Sequence, residues 1–194
     1  MTDPATPNFP EGTVTQMAYV VRDIERHAAS WTELTGAGPW FHLEPELRNM
    51  VYRSNPTDAK YRLAMAFVGS TLLELIQPLD DEPSIFNEIL DERGEGFHHI
   101  APRLSGLSGA SFEARCLELE QQGLTLALAN DVVGQGRTAF YDAKDTIGGF
   151  VEVFELGAGY SMLPRMAEVH QQWDGTDMMR PLQSLFSSLN DKEF

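Results

Sequence analysis

Cysteine is nearly absent from this chain. Its one cysteine, Cys116, cannot form a disulfide within the chain, so nothing in the sequence indicates an oxidising compartment. The residue falls in a helix expected over residues 110–122, beside apolar Leu117 and Leu119. A buried, unreactive thiol is therefore the simplest interpretation of Cys116.

Basic residues are also scarce. Lys and Arg number 14 against 29 Asp and Glu, which gives a formal net charge of −15, and no basic run offsets it. Such a surface repels nucleic acid and anionic membranes, so neither is an expected partner. An anionic substrate is not excluded by this charge, because a metal ion or a local arginine can dominate the potential inside a pocket.

Long apolar runs are missing as well. No stretch approaches the ~18 apolar residues of a membrane-spanning helix, and the first residues lack the basic start and apolar core of a secretory signal. We therefore expect a cytoplasmic protein. What the chain does contain is enough apolar material for a core: 42% of its 194 residues are hydrophobic, including 11 Phe and 3 Trp. This length suits one large domain or two small ones tightly joined.

The order of predicted elements repeats. After a loose, proline-containing leader (residues 1–12), strand and turn signals predict a β-α-β-β-β module over about 13–80, with a helix from Ile24 to Thr35 and a loop from Glu44 to Asp58. A linker helix over 83–93 precedes a second β-α-β-β-β module over about 95–156. The predicted fold class is α+β: two modules forming a curved, eight-stranded mixed sheet around a cleft.

The last segment, residues 157–194, is predicted to be a helical extension. It places apolar residues at helical spacing: Met162, Leu163, Met166, Val169 and Trp173. Methionine-rich amphipathic tails pack on their own domain or on a partner subunit, which is the favoured interpretation. A lid over the functional site is the alternative.

Each module places two polar residues inside apolar strands, at similar intervals. These residues are Gln16 and Glu74 in the first module, and His99 and Glu152 in the second. An unpaired polar group is costly to bury, and four such groups that converge on one ion would remove that cost. Because side chains alternate across a strand, His98 is expected to face away from His99, in a packing or supporting role.

At these residues the chain resembles the vicinal oxygen chelate superfamily, which includes glyoxalase I, methylmalonyl-CoA epimerase, extradiol dioxygenases and antibiotic-binding proteins. The segment from Gly96 to Ala101 (GFHHIA) is similar to the epimerase strand whose second histidine binds metal. The segments LEL around Glu74 and VEV around Glu152 resemble the ligand-bearing closing strands, and Gln16 resembles the opening ligand. The resemblance implies a divalent metal held by Gln16, Glu74, His99 and Glu152.

The resemblance also implies a reaction. One nitrogen and three oxygen ligands suit Zn²⁺, Mn²⁺, Co²⁺, Ni²⁺ or Mg²⁺, which can chelate neighbouring oxygens of a substrate and polarise its carbonyl. Relatives of this kind are isomerases, epimerases or lyases that transfer a proton through an enolate-like intermediate. By the same resemblance, Glu152 and, after it, Glu74 are the candidate catalytic bases. A small-molecule substrate, apolar or aromatic, and a homodimer are the expected partners.

The sequence departs from some relatives and leaves alternatives open. Eukaryotic-type glyoxalase I holds glutathione through an Arg and an Asn where this chain has Val20 and Pro78, so a glutathione adduct is not the expected substrate. A non-catalytic, antibiotic-type binding protein is the main alternative function. Ring-cleaving dioxygenases use two histidines and a carboxylate on iron, and Gln16 in place of the first histidine makes that chemistry the less favoured option. Four aromatic residues are candidates for the pocket wall: Trp40, Phe41, Tyr52 and Tyr61.

Overall fold

The computed structural model describes residues 14–102, 107–155 and 162–187. The leader (1–12) and the first part of the C-terminal extension lie outside these ranges. Described strands are β1 (Gln16–Val20), β2 (Trp40–Leu43), β3 (Leu47–Tyr52), β4 (Asn55–Pro56), β5 (Tyr61–Val68), β6 (Thr71–Pro78), β7 (Gly96–Ala101), β8 (Thr125–Val132), β9 (Gly136–Ala143), β10 (Gly149–Phe154) and β11 (Met179–Pro181). Described helices are α1 (Ile24–Thr35), α2 (Ile85–Arg93), α3 (Gly109–Gln121), α4 (Lys144–Ile147), α5 (Met162–Gln171) and α6 (Ser184–Ser187). Within these ranges, no helix has the length and apolarity needed to cross a membrane.

The described strands form one mixed sheet with two similar halves. Their order is β11-β2-β5-β6-β1-β7-β10-β9-β8-β3-β4. Read outward from the central β1–β7 pair, each half presents its first, fourth, third and second main strand. The first strand of each half pairs in parallel with the fourth, and β1 joins β7 in antiparallel fashion. The predicted α+β fold with a curved mixed sheet is confirmed, with three short strands added to the eight expected.

The added strands lie at the edges of the sheet. The prediction of a loop from Glu44 to Asp58 is wrong, since β3 lies within this range and pairs with β8 of the other half. Most side chains of β3 are exposed or half-buried, so this edge strand has no clear apolar alternation in its sequence. Strand β4 then pairs only with β3, and β11 extends the opposite edge by pairing with β2.

Local signals explain the helices that flank the sheet. Asp23 caps α1 by accepting a hydrogen bond from the Arg26 backbone N–H at 2.9 Å, and Gly36 ends it in the left-handed conformation at φ 75°. Ser84 caps the linker helix α2, whose apolar face packs into the core beside Phe140 and Phe150. Cys116 on α3 is half-buried rather than fully buried, and burial raises the pKa of its thiol, which keeps it unreactive at neutral pH.

The described part of the C-terminal extension packs against its own sheet. The apolar face of α5 joins a buried cluster with Phe41 and Met65. The ring of His170 contacts the Gly38 carbonyl at 2.6 Å, and the Trp173 ring lies against Gly38. Because β11 also pairs with β2, the extension is attached to the sheet on both sides of this contact.

We expect Gly38→Ala to destabilise the protein and to loosen the extension. A Cβ at Gly38 would collide with the Trp173 ring, and the backbone φ of 145° is itself unfavourable for any residue with a side chain. Together these effects are expected to cost about 2–3 kcal/mol, measured by denaturant unfolding. Gly36→Ala is the control, because its φ of 75° brings backbone strain with no neighbour within 4 Å. Equal losses for the two variants would contradict the contact with Trp173.

Candidate functional site

The sheet register brings the four predicted ligands to one face. In β1, Gln16, Ala18 and Val20 are buried, while Met17 and Tyr19 between them face the α1 side. Ala18 lies opposite Glu74 on one neighbouring strand and opposite His99 on the other. His99 in turn lies opposite Phe150, two residues before Glu152. Since paired residues share a face, these side chains must meet, and the small Ala18 leaves room for them.

The four side chains are in direct contact and come from one chain. Gln16 Nε2 lies 3.0 Å from Glu74 Oε2, 3.2 Å from His99 Nε2 and 3.2 Å from Glu152 Oε2. His99 Nε2 is itself 3.4 Å from Glu74 Oε2 and 3.2 Å from Glu152 Oε2. The His99 side chain is fully buried, and the two glutamate side chains are only 11% and 10% exposed. The convergence that the sequence predicted is therefore present in the geometry.

The donor set around Gln16 fits a cation. An amide nitrogen carries two protons, yet here it faces three acceptors, the two carboxylates and the imidazole. Half a turn of the amide would present Oε1 to the same point and complete a set of one nitrogen and three oxygens. In the described part of the chain no three His, Cys, Asp or Glu side chains are already arranged as metal ligands. At this site, the Gln16 amide nitrogen occupies the point that the two carboxylates and the His99 imidazole surround.

Burial and a neighbouring charge perturb the carboxyl group of Glu74. Desolvation raises the pKa of Glu74 to about 7, with a further rise from the charge of Glu152, against the opposing effects of His99 and Gln16. Burial, with the charges of Glu74 and Glu152, also raises the pKa of Tyr61, so its hydroxyl stays protonated at neutral pH. The site thus holds more negative charge than its own groups balance, as expected of a cation site.

His98 does not face away from His99, as the alternation of strand residues predicted. The register between β1 and β7 slips at this point: Ala18 pairs with His99 and Tyr19 with Phe97, which makes His98 the extra residue of a bulge. Both imidazoles are fully buried, and both contact the Phe140 ring. A bulge breaks the two-residue period of a strand, which is why the predicted orientation was wrong. His98 packs in the core as expected, and a supporting role at a metal site stays a prediction.

The pair of histidines fixes which nitrogen of His99 carries a proton. His98 Nε2 lies 3.3 Å from the Ile85 carbonyl, which can only accept, so this nitrogen donates. Burial holds the pKa of His98 well below its ordinary value, so the ring is neutral and its Nδ1 accepts. His99 Nδ1, 2.8 Å away, must then donate. In the neutral form of His99 this arrangement places the lone pair on Nε2, the atom that faces the cluster.

We expect His98→Phe to weaken metal binding about 10–100-fold, the usual effect of removing the hydrogen-bond partner of a ligating histidine. Phenylalanine can keep the stacking on Phe86, whose ring centroid lies 5.0 Å from that of His98, but it cannot accept from His99 Nδ1. Isothermal titration with Zn²⁺ and Mn²⁺ measures the change. His27→Phe, at a half-buried histidine on α1, is the control. Unchanged affinity in His98→Phe would contradict the supporting role.

The cluster opens into an apolar cavity of about 80 Å³. Of the four aromatic residues expected in its wall, only Tyr61 lines it. Trp40 is buried on the α1 side of the sheet, where its indole donates to Thr32 Oγ1 at 3.0 Å. Phe41 packs behind the wall, in the same apolar cluster as Met162 and Leu163, without lining the cavity. Tyr52 donates to Glu88 at 2.8 Å, away from the cavity. Sequence alone cannot separate a pocket aromatic from a core aromatic.

Several wall residues were not anticipated. Polar Gln135 and Thr138 reach the cavity from the β8–β9 turn and from β9, and Met162 and Leu163 reach it from α5. Helical spacing identifies the apolar face of α5 but not the surface that the face covers. The alternation of β9, in which Thr138 and Phe140 share a face, was the one signal that could have placed Thr138 there.

Comparison with known proteins agrees with this fold. The family model described as the Glyoxalase/Bleomycin resistance protein/Dioxygenase superfamily matches residues 15–141. A methylmalonyl-CoA epimerase from Mycobacterium tuberculosis is 24% identical, with 75% of this chain and 88% of that chain covered and a TM-score of 0.51. A variant epimerase from Streptomyces coelicolor, in complex with 2-nitronate-propionyl-CoA, is 19% identical, with 77% and 97% covered and a TM-score of 0.52.

At these identities the two structures support the fold and not a shared activity. No curated protein matches the chain. The family model, however, covers well over half of the 194 residues, and its range includes three of the four clustered side chains. The resemblance predicted from the strands around Gln16, Glu74 and His99 is thereby confirmed. The chain belongs to the Glyoxalase/Bleomycin resistance protein/Dioxygenase superfamily, also called the vicinal oxygen chelate superfamily.

Proposed function

We propose that this protein is a metal-dependent enzyme that transfers a proton at a carbon next to a carbonyl, as an isomerase, epimerase or lyase. One observation carries the proposal: three buried acceptor groups, on Glu74, His99 and Glu152, surround a single point that the Gln16 amide nitrogen now occupies. A protein that only enclosed an apolar ligand would gain nothing from burying two carboxylates so close together.

Each side chain has a role in this proposal. His99 Nε2, the two carboxylates and the Gln16 amide oxygen would hold a divalent ion such as Zn²⁺, Mn²⁺, Co²⁺, Ni²⁺ or Mg²⁺. When bound, the ion acts as a Lewis acid on the substrate carbonyl and lowers the energy needed to remove the neighbouring proton. Apolar wall residues exclude water from the cavity, which strengthens these electrostatic interactions.

The proton acceptor is one of the two glutamates, both of which line the cavity. Resemblance favours Glu152. Glu74 is the alternative, because its carboxylate lines the same cavity and contacts the same Gln16 amide nitrogen. The Tyr61 hydroxyl stays protonated and lines the same cavity, so it can donate a hydrogen bond to a substrate oxygen. A homodimer and a cytoplasmic location stay predictions, and the proposed site needs only one chain.

Two measurements test the proposal. Elemental analysis of the purified protein is expected to find about one divalent ion per chain, and His99→Ala is expected to lose it, because it removes the nitrogen ligand. A screen of carbonyl compounds in D₂O is then expected to find metal-dependent exchange of a C–H proton. Stoichiometric ligand binding with neither metal nor exchange would instead favour the antibiotic-type binding protein.

A further inference from the structure

We infer that the substrate is a small, uncharged and largely apolar carbonyl compound, and that helix α5 completes the wall that selects it. This inference rests on the proposed function and narrows its substrate class. It starts from the composition of the cavity wall, which the metal ligands alone do not determine.

The wall of the cavity carries no positive charge within the described part of the chain. Besides the ligands and Tyr61, its polar members are Gln135 and Thr138. The remaining wall residues are apolar: Leu43, Pro45, Leu63, Met65, Leu72, Ile76, Phe86, Val132, Phe140, Phe154, Met162 and Leu163. A phosphate or carboxylate on the substrate would find no basic partner on this wall, and its desolvation would be uncompensated.

Nearby arginines are turned away from the cavity by strand alternation. Arg62 lies between Tyr61 and Leu63, which both line the cavity, and it pairs with Glu25 of α1 on the other face. Arg137 precedes Thr138 and is engaged elsewhere: its guanidinium contacts the Glu155 and Glu113 carboxylates at 2.6 Å and covers the Phe112 ring. Neither can neutralise an anion beside the metal ligands.

The groove next to the cavity offers no better site for phosphates. It has a volume of about 620 Å³ and shares Pro45 and Tyr61 with the cavity wall. Its charged residues are three acids and two bases: Glu44, Glu46, Asp58, Arg48 and Lys60. Arg48 is already paired with Glu46 at 2.8 Å, so the acids of this groove outnumber the bases and an added anion has little to gain there. Among the described residues on either side of Tyr61, the nucleotide end of an acyl-CoA would therefore meet an uncharged wall or a groove in which acids outnumber bases.

Helix α5 sets the size of the cavity. Met162 and Leu163 are each 9% exposed and project from the first turn of α5 into the wall. The next turn contributes Met166, which is 1% exposed and belongs to the same apolar cluster without lining the cavity. Because the end of α5 is held by the His170 contact to Gly38, the wall is part of the folded core. A cavity of about 80 Å³ then admits only a few substrate atoms beside the ligands.

A matched series of thioesters tests this inference. All carry the same 2-hydroxypropanoyl group, with two neighbouring oxygens, and differ only in the thiol: S-methyl, S-butyl, S-(2-carboxyethyl) and CoA. Isothermal titration of the full chain is expected to rank S-methyl first, with the anionic S-(2-carboxyethyl) thioester at least about tenfold weaker than the neutral S-butyl thioester of similar size. The CoA thioester is expected to be weaker still.

Two variants distinguish an effect of the cavity wall on ligand ranking from an effect of lower overall stability. Leu163→Ala is expected to strengthen S-butyl binding relative to S-methyl by about tenfold, because it removes wall atoms. Met166→Ala loses a similar buried volume in the same cluster and is expected to keep the wild-type ranking. Equal rankings in the two variants would overturn the role of α5.

Different experimental results would contradict the substrate class and the proposed function. Binding of the CoA or S-(2-carboxyethyl) thioester as tight as that of the S-butyl thioester overturns the substrate class, and so does absence of S-methyl binding at millimolar concentration. Selective binding of the neutral thioesters with no C–H exchange in D₂O leaves the substrate class standing and rejects the proposed function.

Discussion

Glu152→Gln is expected to keep bound metal close to the wild-type level while lowering turnover by about 10²–10⁴-fold, the usual loss when a general base is removed. Glutamine still offers an oxygen to the ion, as Gln16 is proposed to do, but it cannot accept a proton at neutral pH. Elemental analysis measures the retained metal, and exchange of the substrate C–H with solvent deuterium measures the chemical step.

Glu155→Gln is the matched control for this substitution. Glu155 follows β10 on the opposite face, pairs with Arg137 at 2.6 Å and does not line the cavity. Its loss is expected to leave both exchange and metal content unchanged. Normal metal with normal exchange in Glu152→Gln would transfer the base role to Glu74, the other carboxylate of the cavity.

In metal-free protein, Glu74 is expected to make the fold less stable as the pH rises from about 4.5 to about 7. Burial raises the folded-state pKa of Glu74 from 4.5 to about 7, so the folded state binds its proton more tightly than the unfolded state does. The stabilising effect is complete below the unfolded pKa and is lost as the pH rises through the folded pKa, an effect of about 3 kcal/mol. Urea unfolding at several pH values measures it.

Glu74→Gln is expected to remove this pH dependence, because the amide is neutral throughout. Glu88→Gln is a control, because Glu88 changes the stability of the fold with pH in the opposite direction. Burial alone would raise the pKa of Glu88, but hydrogen bonds from Arg53, Lys144 and Tyr52 outweigh it and lower this pKa to about 2. Glu88 therefore stabilises the fold above about pH 4.5, and its loss should weaken the protein at neutral pH. A metal-free Glu74→Gln protein that keeps the wild-type profile between pH 5 and 7 would contradict the assignment.

Prediction from sequence succeeded where local chemistry decides the structure. The helix predicted from Ile24 to about Thr35 is confirmed, because a capping aspartate and a left-handed glycine mark its ends. The convergence of Gln16 with His99 was predictable because each module repeats the same strand order, and a repeated order places equivalent strands side by side.

Prediction failed where distant parts of the chain decide the structure. Strand β3 forms because β8 of the other half offers an open edge, and its own residues carry little apolar alternation. His98 turned inward because a bulge shifts the register between β1 and β7, which no single strand sequence reveals. The contribution of Leu163 to the cavity depends on where the end of α5 is anchored, some distance further along the chain.

The central β1–β7 pair joins two halves that are encoded separately within one polypeptide. In an assembly of identical copies, every substitution near the symmetry axis appears twice, so opposing ligands must change together. Here Gln16 and His99 occupy neighbouring strands yet can vary independently. A single codon change at residue 16 would therefore alter one of the four proposed ligands and leave the others in place. The donor set can be tuned one ligand at a time, by natural selection or in the laboratory.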